Sequence, residues 1–415
     1  MHDFKYSDGE LFCENVPLAL IAEEVGTPVY VYSRHTLTAH YHLLEDAFSS
    51  LPSLICYSVK ANSNRAVLAL LAKEGAGADI VSGGELFRAM QAGMPAEKIV
   101  YAGIGKTEAE MSLALEAGIL MFNVESLTEL ETLNRVAGEM GRVADIALRV
   151  NPDVDPDTHP YIATGLKEAK FGINIEQAVA IYDRADSLAN IRVVGVHQHI
   201  GSQITSVEPF QDSLSKVREL VSVLQGMGFN IQYINIGGGF GIPYQQEEVP
   251  RPNDYAEALG PMLEDSGCQV ILEIGRMIVG NAGVLMSRVL YRKQTGDKGF
   301  LVVDAAMNDL IRPSLYGSFH ELLPVRHSGG TEEIMDVVGP VCESGDFLAK
   351  ERAMPRLEPG DLLAVMSAGA YGFAMSSNYN SRPRVAEVMV DNGDYRVVRD
   401  RESYEDLVRG EHDWQ

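Results

Sequence analysis

The amino-acid sequence predicts a chain in two parts, α/β followed by β. The first is a (β/α)8 barrel over residues 33–278; the second is an antiparallel β domain, a sandwich or Greek-key barrel, built from 1–32 and 279–415. Three observations carry this prediction. Short apolar, β-prone runs recur from residue 54 onward, with helical patterns between them. Eight such runs fit into about 220 residues, the count and length of a closed barrel. From about residue 280 the rhythm changes, and strand-like runs follow one another with turn signals and little helix.

The eight runs are LICYSVKAN, ADIVSGGE, IVYAGIGK, ILMFNVES, DIALRVNP, VVGVHQHIGSQ, IQYINIGGGFG and CQVILEIGR. Each is rich in β-branched or aromatic residues and closes on polar residues or glycine, as a strand buried on both faces does. Segments such as NRAVLALLAKEG, TEAEMSLALEAG and SLSKVRELVSVLQGMG space their apolar residues three and four apart, and several close on glycine, which takes a left-handed C-cap without strain. Alternating strands and helices imply right-handed βαβ units and a parallel sheet. A doubly wound open sheet is the competing arrangement, but no glycine fingerprint follows the first strand. In the second part VLMSRVLYRKQ, GFLVVDAAM, EIMDVVGPV, DLLAVMSAG and RVAEVMVDN read as strands. The order of the HSGGTEEI segment, residues 327–334, is left open.

Composition narrows the function classes. With 46% hydrophobic and 22% charged residues the chain is ordinary for a globular protein. Its 58 acidic against 34 basic residues give a formal net charge of -24, which repels nucleic acid and anionic membrane and leaves no role for either as a partner. The opening MHDFKYSDGELFCEN has no apolar stretch of the kind a secretory signal carries, and no run approaches the roughly 20 apolar residues that span a bilayer. Cys13, Cys56, Cys268 and Cys342 are far apart in sequence with no CxxC pair, so reduced thiols and a cytoplasmic setting are expected.

The candidate chemistry collects where the barrel strands end. Lys60 closes the run ICYSVK; the plain reading is a side chain reaching past the strand to solvent. In a (β/α)8 barrel, however, strand C-termini form the active site, and an amine held there can act on an aldehyde. Pyridoxal 5'-phosphate is the cofactor that uses a lysine this way, through a Schiff base. It would also require a phosphate cradle, an acid at its pyridine nitrogen and a flat group over its ring. Gly237, Gly238 and Gly239 after the seventh strand could cradle a phosphate or merely form a tight turn. Glu273, ending the eighth strand, could face the ring nitrogen, or it could pair with Arg276. His197 and His199 share one side of an extended chain, which suits a metal only if a third ligand exists, and none is evident. His199 suits stacking on a ring better, with Ser202 donating toward a phosphate.

YSVKAN, HIGSQ, GGGFG, EIGR, RPSLYG, CESGD and AGAYG occur in that order between about residue 25 and 385. Together they resemble the diaminopimelate decarboxylases, which belong to the alanine-racemase-like, fold-type III class of pyridoxal phosphate enzymes. One departure is Ile274, which stands where the family usually has proline. The resemblance implies that Lys60 is the Schiff-base lysine, that Glu273 meets the pyridine nitrogen and that His199 stacks on the ring. It implies a phosphate site lined by Ser202, Gly238, Gly239, Ile274, Gly275 and Arg276, joined by Tyr371. Arg276, Arg312, Tyr316, Glu343 and Tyr371 would bind substrate, and Cys342 would be the general acid. It further implies a homodimer, with Cys342 and Glu343 reaching the neighbouring subunit's site.

The implied reaction is decarboxylation of meso-2,6-diaminopimelate to L-lysine and carbon dioxide, the last step of lysine biosynthesis by the diaminopimelate route. The charges fit, since Arg312 can grip the distal carboxylate in a two-bond fork and Glu343 can pair the distal ammonium. Three rivals stand beside it: a sibling decarboxylase for another, even carrier-bound, amino acid; a racemase on the same fold; and a non-catalytic cofactor carrier.

Overall fold

The computed structural model describes residues 2–414 except 157, 160, 163, 166–169, 246, 328 and 330. It divides into two compact units: one of residues 40–242 and 248–277, the other of 1–39, 243–247 and 278–415.

The first unit is a parallel barrel of eight strands: β1 (Ser53–Ser58), β2 (Gly77–Ile80), β3 (Ile99–Tyr101), β4 (Met121–Val124), β5 (Ala144–Asn151), β6 (Ile191–His197), β7 (Tyr233–Asn235) and β8 (Gln269–Leu272). Consecutive strands pair in parallel, and the ring closes where β8 meets β1, with Val270 opposite Ser53. Each of the eight overlaps one of the runs expected from sequence, and four of them (those starting at Ser53, Gly77, Ala144 and Ile191) begin one or two residues earlier. Side chains of Cys56, Val100, Met121, Ala147, Val194 and Ile271 fill the interior as a buried cluster, so the barrel is a packed core and not a pore.

Five of the helices between strands start on side-chain caps. Asn64, Ser82, Ser126 and Asn174 each accept a backbone N–H of the first turn, and Thr107 forms a reciprocal capping box with Glu110. Helix Glu108–Ala117 closes on Gly118 at φ 72°, the left-handed cap that the EAG pattern predicts. With the strands parallel, their C-termini meet at one end of the barrel.

The second unit is built on a sheet of which the central path contains β9 (Gly283–Thr295), β10 (Lys298–Val303), β12 (Glu332–Val338), β13 (Phe347–Pro355), β15 (Ala386–Asp391), β16 (Asp394–Arg399) and the early strand Val29–Ser33; β11 (Leu322–Pro324) and β14 (Leu362–Val365) pair beside β9. Its core gathers Val29, Val31, Val284, Met286, Val388 and Val390. All five runs expected to be strands are strands. The sheet is mixed, not wholly antiparallel as expected: Val29–Ser33 runs parallel to β15, and β10 parallel to β12. Apolar periodicity reports burial but not strand direction, and both pairs join segments too far apart in sequence for a hairpin. Of the 327–334 segment, residues 328 and 330 lie outside the described residues, and Glu332 begins β12. No helix among the described residues is long and apolar enough to cross a membrane.

Candidate active site

Within the barrel unit every candidate residue lies at or just past a strand C-terminus. β1 ends at Ser58, so Lys60 sits two residues beyond it, in the single 3-10 turn Val59–Ala61. The turn aims its amine at β2, where Nζ lies 2.6 Å from Asp79 Oδ2. The Asp79 side chain is fully buried and also accepts from Ser58 Oγ at 2.7 Å. Burial, and then the neighbouring Glu273 charge, push its carboxyl upward, against the pull of Lys60. The question raised by a lysine at a buried strand end therefore has an answer: the amine is paired, and directed inward.

Glu273 follows β8 and is 5% exposed. The salt bridge to Arg276 that the sequence left open is replaced by a different set of partners. Asn123 Nδ2 and Asn235 Nδ2 both donate to its Oε1, at 2.8 and 2.7 Å, and His197 Nε2 lies 3.2 Å from its Oε2. Burial pushes this carboxyl up, but His197 and the Lys60 charge outweigh it and hold the group below the usual carboxylate range. His197 is thereby a partner of Glu273, which accounts for one of the two same-side histidines.

His199 lies two residues past β6. Its Nδ1 accepts the Gly238 N–H at 3.1 Å, which leaves the proton of a neutral ring on Nε2. Burial first, then the Arg149 and Lys60 charges, lower its affinity for a second proton. A neutral, flat imidazole is the result.

The glycines are required by close approach. A Cβ on Gly238 would sit 2.0 Å from Glu273 O, one on Gly239 2.3 Å from Gly201 O, and one on Gly275 2.9 Å from Ala61 Cβ. The loops after β1, β6, β7 and β8 therefore pack backbone to backbone, and Ile274 O accepts the Ser58 N–H at 3.1 Å as part of that seam. Arg276 Nη2 donates to Ser202 Oγ at 3.1 Å, joining two residues expected at one phosphate.

The remaining candidates belong to the second unit. Arg312 begins the short helix Arg312–Tyr316, which carries Tyr316 at its other end. Cys342 and Glu343 lie exposed in the loop before β13, where Cys342 N–H donates to Asn380 Oδ1 at 3.0 Å and Glu343 accepts from Tyr379 Oη at 2.8 Å. Asp346 braces that loop by accepting the Met307 and Val341 N–H groups, each at 2.7 Å. Tyr371 holds a left-handed backbone, φ 56°, an unusual conformation for a bulky residue.

Four side chains that partner Lys60 or Glu273 escaped the sequence reading in these roles: Asp79, Asn123, Asn235 and His197. The available signal was a polar residue in an otherwise apolar strand, as in ADIV, MFNV and YINI.

The barrel loops gather a primary amine, an ionised carboxylate, a neutral imidazole, and a guanidinium beside a hydroxyl and bare glycines. That donor set fits pyridoxal phosphate, which needs one of each. In agreement, residues 34–280 match the family model described as "Pyridoxal-dependent decarboxylase, pyridoxal binding domain". The diaminopimelate decarboxylase of Pseudomonas aeruginosa is 53% identical over 411 residues, covering 99% of both chains. Among solved structures, diaminopimelate decarboxylase from Helicobacter pylori complexed with L-lysine superposes with a TM-score of 0.92 at 42% identity, over 94% of this chain and 98% of that one. The enzyme from M. jannaschii in co-complex with L-lysine gives 0.95 at 37% identity, over 99% of both. The chain belongs to the diaminopimelate decarboxylase family of pyridoxal phosphate-dependent enzymes.

Proposed function

We propose that the chain decarboxylates meso-2,6-diaminopimelate to L-lysine and carbon dioxide, with the roles distributed as follows. Lys60 Nζ would hold the cofactor, and Asp79, 2.6 Å away, would pair its ammonium when it is free. Glu273, ionised and clamped by two amides and an imidazole, presents a fixed negative charge to the pyridine nitrogen. His199 would cover the ring, while Ser202, Gly238, Gly239, Ile274, Gly275, Arg276 and Tyr371 would hold the phosphate. Bound pyridoxal phosphate supplies the electron sink for the pair left behind when carbon dioxide departs.

On the substrate side Arg276, Arg312, Tyr316 and Tyr371 bind and orient. Arg312 takes the distal carboxylate in a planar fork, and Glu343 takes the distal ammonium. Cys342 then returns a proton to the carbon that lost its carboxylate. Because Cys342 and Glu343 are both exposed on their unit, the reading extends to a homodimer in which each serves the site of a second copy. A biosynthetic enzyme of this kind works in the cytoplasm.

The observation that carries the proposal is the Lys60–Asp79–Glu273 arrangement at one barrel end, on a chain half identical to diaminopimelate decarboxylases over its full length. Borohydride reduction of the purified yellow protein, followed by peptide mapping, should place the label on Lys60; meso-diaminopimelate should then yield lysine and carbon dioxide with the unreduced enzyme. An unmodified Lys60 in active protein removes the cofactor assignment. A panel of amino acids in which another substrate releases carbon dioxide faster favours the sibling decarboxylase.

A further inference from the structure

Arg312 is 5% exposed, and a guanidinium forks onto an incoming carboxylate only if it is held in one orientation. The second unit solves this with His320. Its ring is fully buried; Nε2 lies 2.9 Å from Arg312 Nη1, and Nδ1 lies 2.8 Å from Met366 O. A carbonyl can only accept, so Nδ1 carries the proton and donates. A guanidinium can only donate, so Nε2 is bare and accepts. The two partners together select one tautomer, and it is uncharged.

Ser318 and Tyr244 add to this positioning. Arg312 Nη2 donates to Ser318 Oγ at 3.3 Å, and the guanidinium lies 4.7 Å from the centre of the Tyr244 ring, which itself meets His320 edge-on. Met366 N–H is bonded to Glu321 O at 2.9 Å, so the carbonyl that anchors His320 sits in a fixed piece of backbone. Imidazole, hydroxyl and aromatic face all steer a cation without carrying a negative charge. A carboxylate in place of His320 would hold Arg312 more tightly but would cancel the charge that the substrate carboxylate needs.

We propose that His320, anchored on Met366 O, is a positioning residue that orients Arg312 and so confers selectivity for substrates whose far end bears a carboxylate. This rests on the reading of Arg312 as the distal-carboxylate binder. The test uses full-length holoenzyme and the pair His320→Asn and His320→Gln. The Asn amide can replace Nδ1 toward Met366 O but does not reach Arg312; the Gln carbonyl falls where Nε2 was. His320→Asn should raise KM for meso-diaminopimelate about tenfold with kcat within about threefold, and His320→Gln should bring KM back to within about threefold of wild type.

Inhibitors separate positioning from damage. L-lysine keeps the far carboxylate and should weaken about tenfold in the Asn variant, whereas pentane-1,5-diamine, which has none, should inhibit all forms equally. If His320→Asn leaves KM and lysine inhibition within twofold while Arg312→Lys raises both, the positioning role is overturned. A diamine that weakens in step with lysine overturns it too. If Arg312→Lys itself changes neither value, the assignment of Arg312 fails and the proposal with it. Should His320→Asn not fold, His320→Gln decides: wild-type lysine inhibition supports the proposal, and a loss matching Arg312→Lys overturns it.

Discussion

Removing Glu125 should loosen the barrel end on which the cofactor loops stand. Glu125 follows β4 and is 5% exposed. Its Oε1 accepts from Arg149 Nη1 at 2.9 Å and from Gly103 N–H at 3.0 Å, and its Oε2 accepts from Gly172 N–H at 3.2 Å. One carboxylate thus ties the loop after β3 and the chain beyond β5 to a guanidinium on β5. In Glu125→Ala the Arg149 charge, its side chain only 7% exposed, is stranded without its carboxylate. Breaking a buried pair by removing one partner costs about 3–5 kcal/mol. The two N–H groups add little to this if water enters the vacated space. With a urea slope of about 3 kcal/mol per molar, the unfolding midpoint of the barrel should fall by about 1–1.7 M. Glu125→Gln, which keeps acceptor oxygen but loses charge, should fall by about half as much. The double variant Glu125→Ala, Arg149→Leu should recover part of the loss, because removing both members of a buried pair leaves no stranded charge. The assay is urea unfolding followed by tryptophan-independent far-ultraviolet circular dichroism. A midpoint within about 0.3 M of wild type for Glu125→Ala, or a double variant that loses the sum of the two singles, refutes the reasoning.

Three further outcomes are expected. Gly238→Ala drives a methyl group to 2.0 Å from Glu273 O, backbone against backbone, and should cost at least about 1–3 kcal/mol by urea midpoint and release cofactor on desalting; a fully loaded variant of wild-type stability contradicts the packing account. His199 is held below the ordinary histidine value of about 6.5, so the unfolded chain takes up that proton first and stability should decline as pH falls below about 6.5. His199→Gln should flatten this limb of the urea-midpoint profile between pH 7 and 5, and an unchanged slope removes the histidine from the account. Cys342→Ala should keep the bound cofactor's visible absorption while slowing lysine formation by about a hundredfold or more; full turnover would strip Cys342 of its role.

The barrel and the loops of its candidate site were legible because both depend on local signals. A buried parallel strand advertises itself as an apolar run, and the residue just past each run must lie at the active end once the ring closes. Lys60, His199, the three glycines and Glu273 could be placed in this way without any knowledge of which strand neighbours which. Strand Phe347–Pro355 was missed for the converse reason: FLAKERAMP lies at the edge of its sheet, pairs only with β12, and carries Lys350, Glu351 and Arg352 where a central strand would be apolar.

What a sequence reading cannot reach are partnerships made across the ring. Asn123, Asn235 and His197 each belong to a different strand from Glu273, and the first is 150 positions away from it. A polar residue inside an apolar run says only that some partner exists, since an unpaired amide there would cost about 1–3 kcal/mol. Its identity follows from barrel closure, which brings β4, β6 and β7 around the end of β8. The same holds for Lys60, whose partner Asp79 is the polar break in the neighbouring run. Polar interruptions near the C-terminal ends of barrel strands are therefore best taken as a set that satisfies itself across the ring. In this chain that set holds the charge on Glu273 and pairs the amine of Lys60.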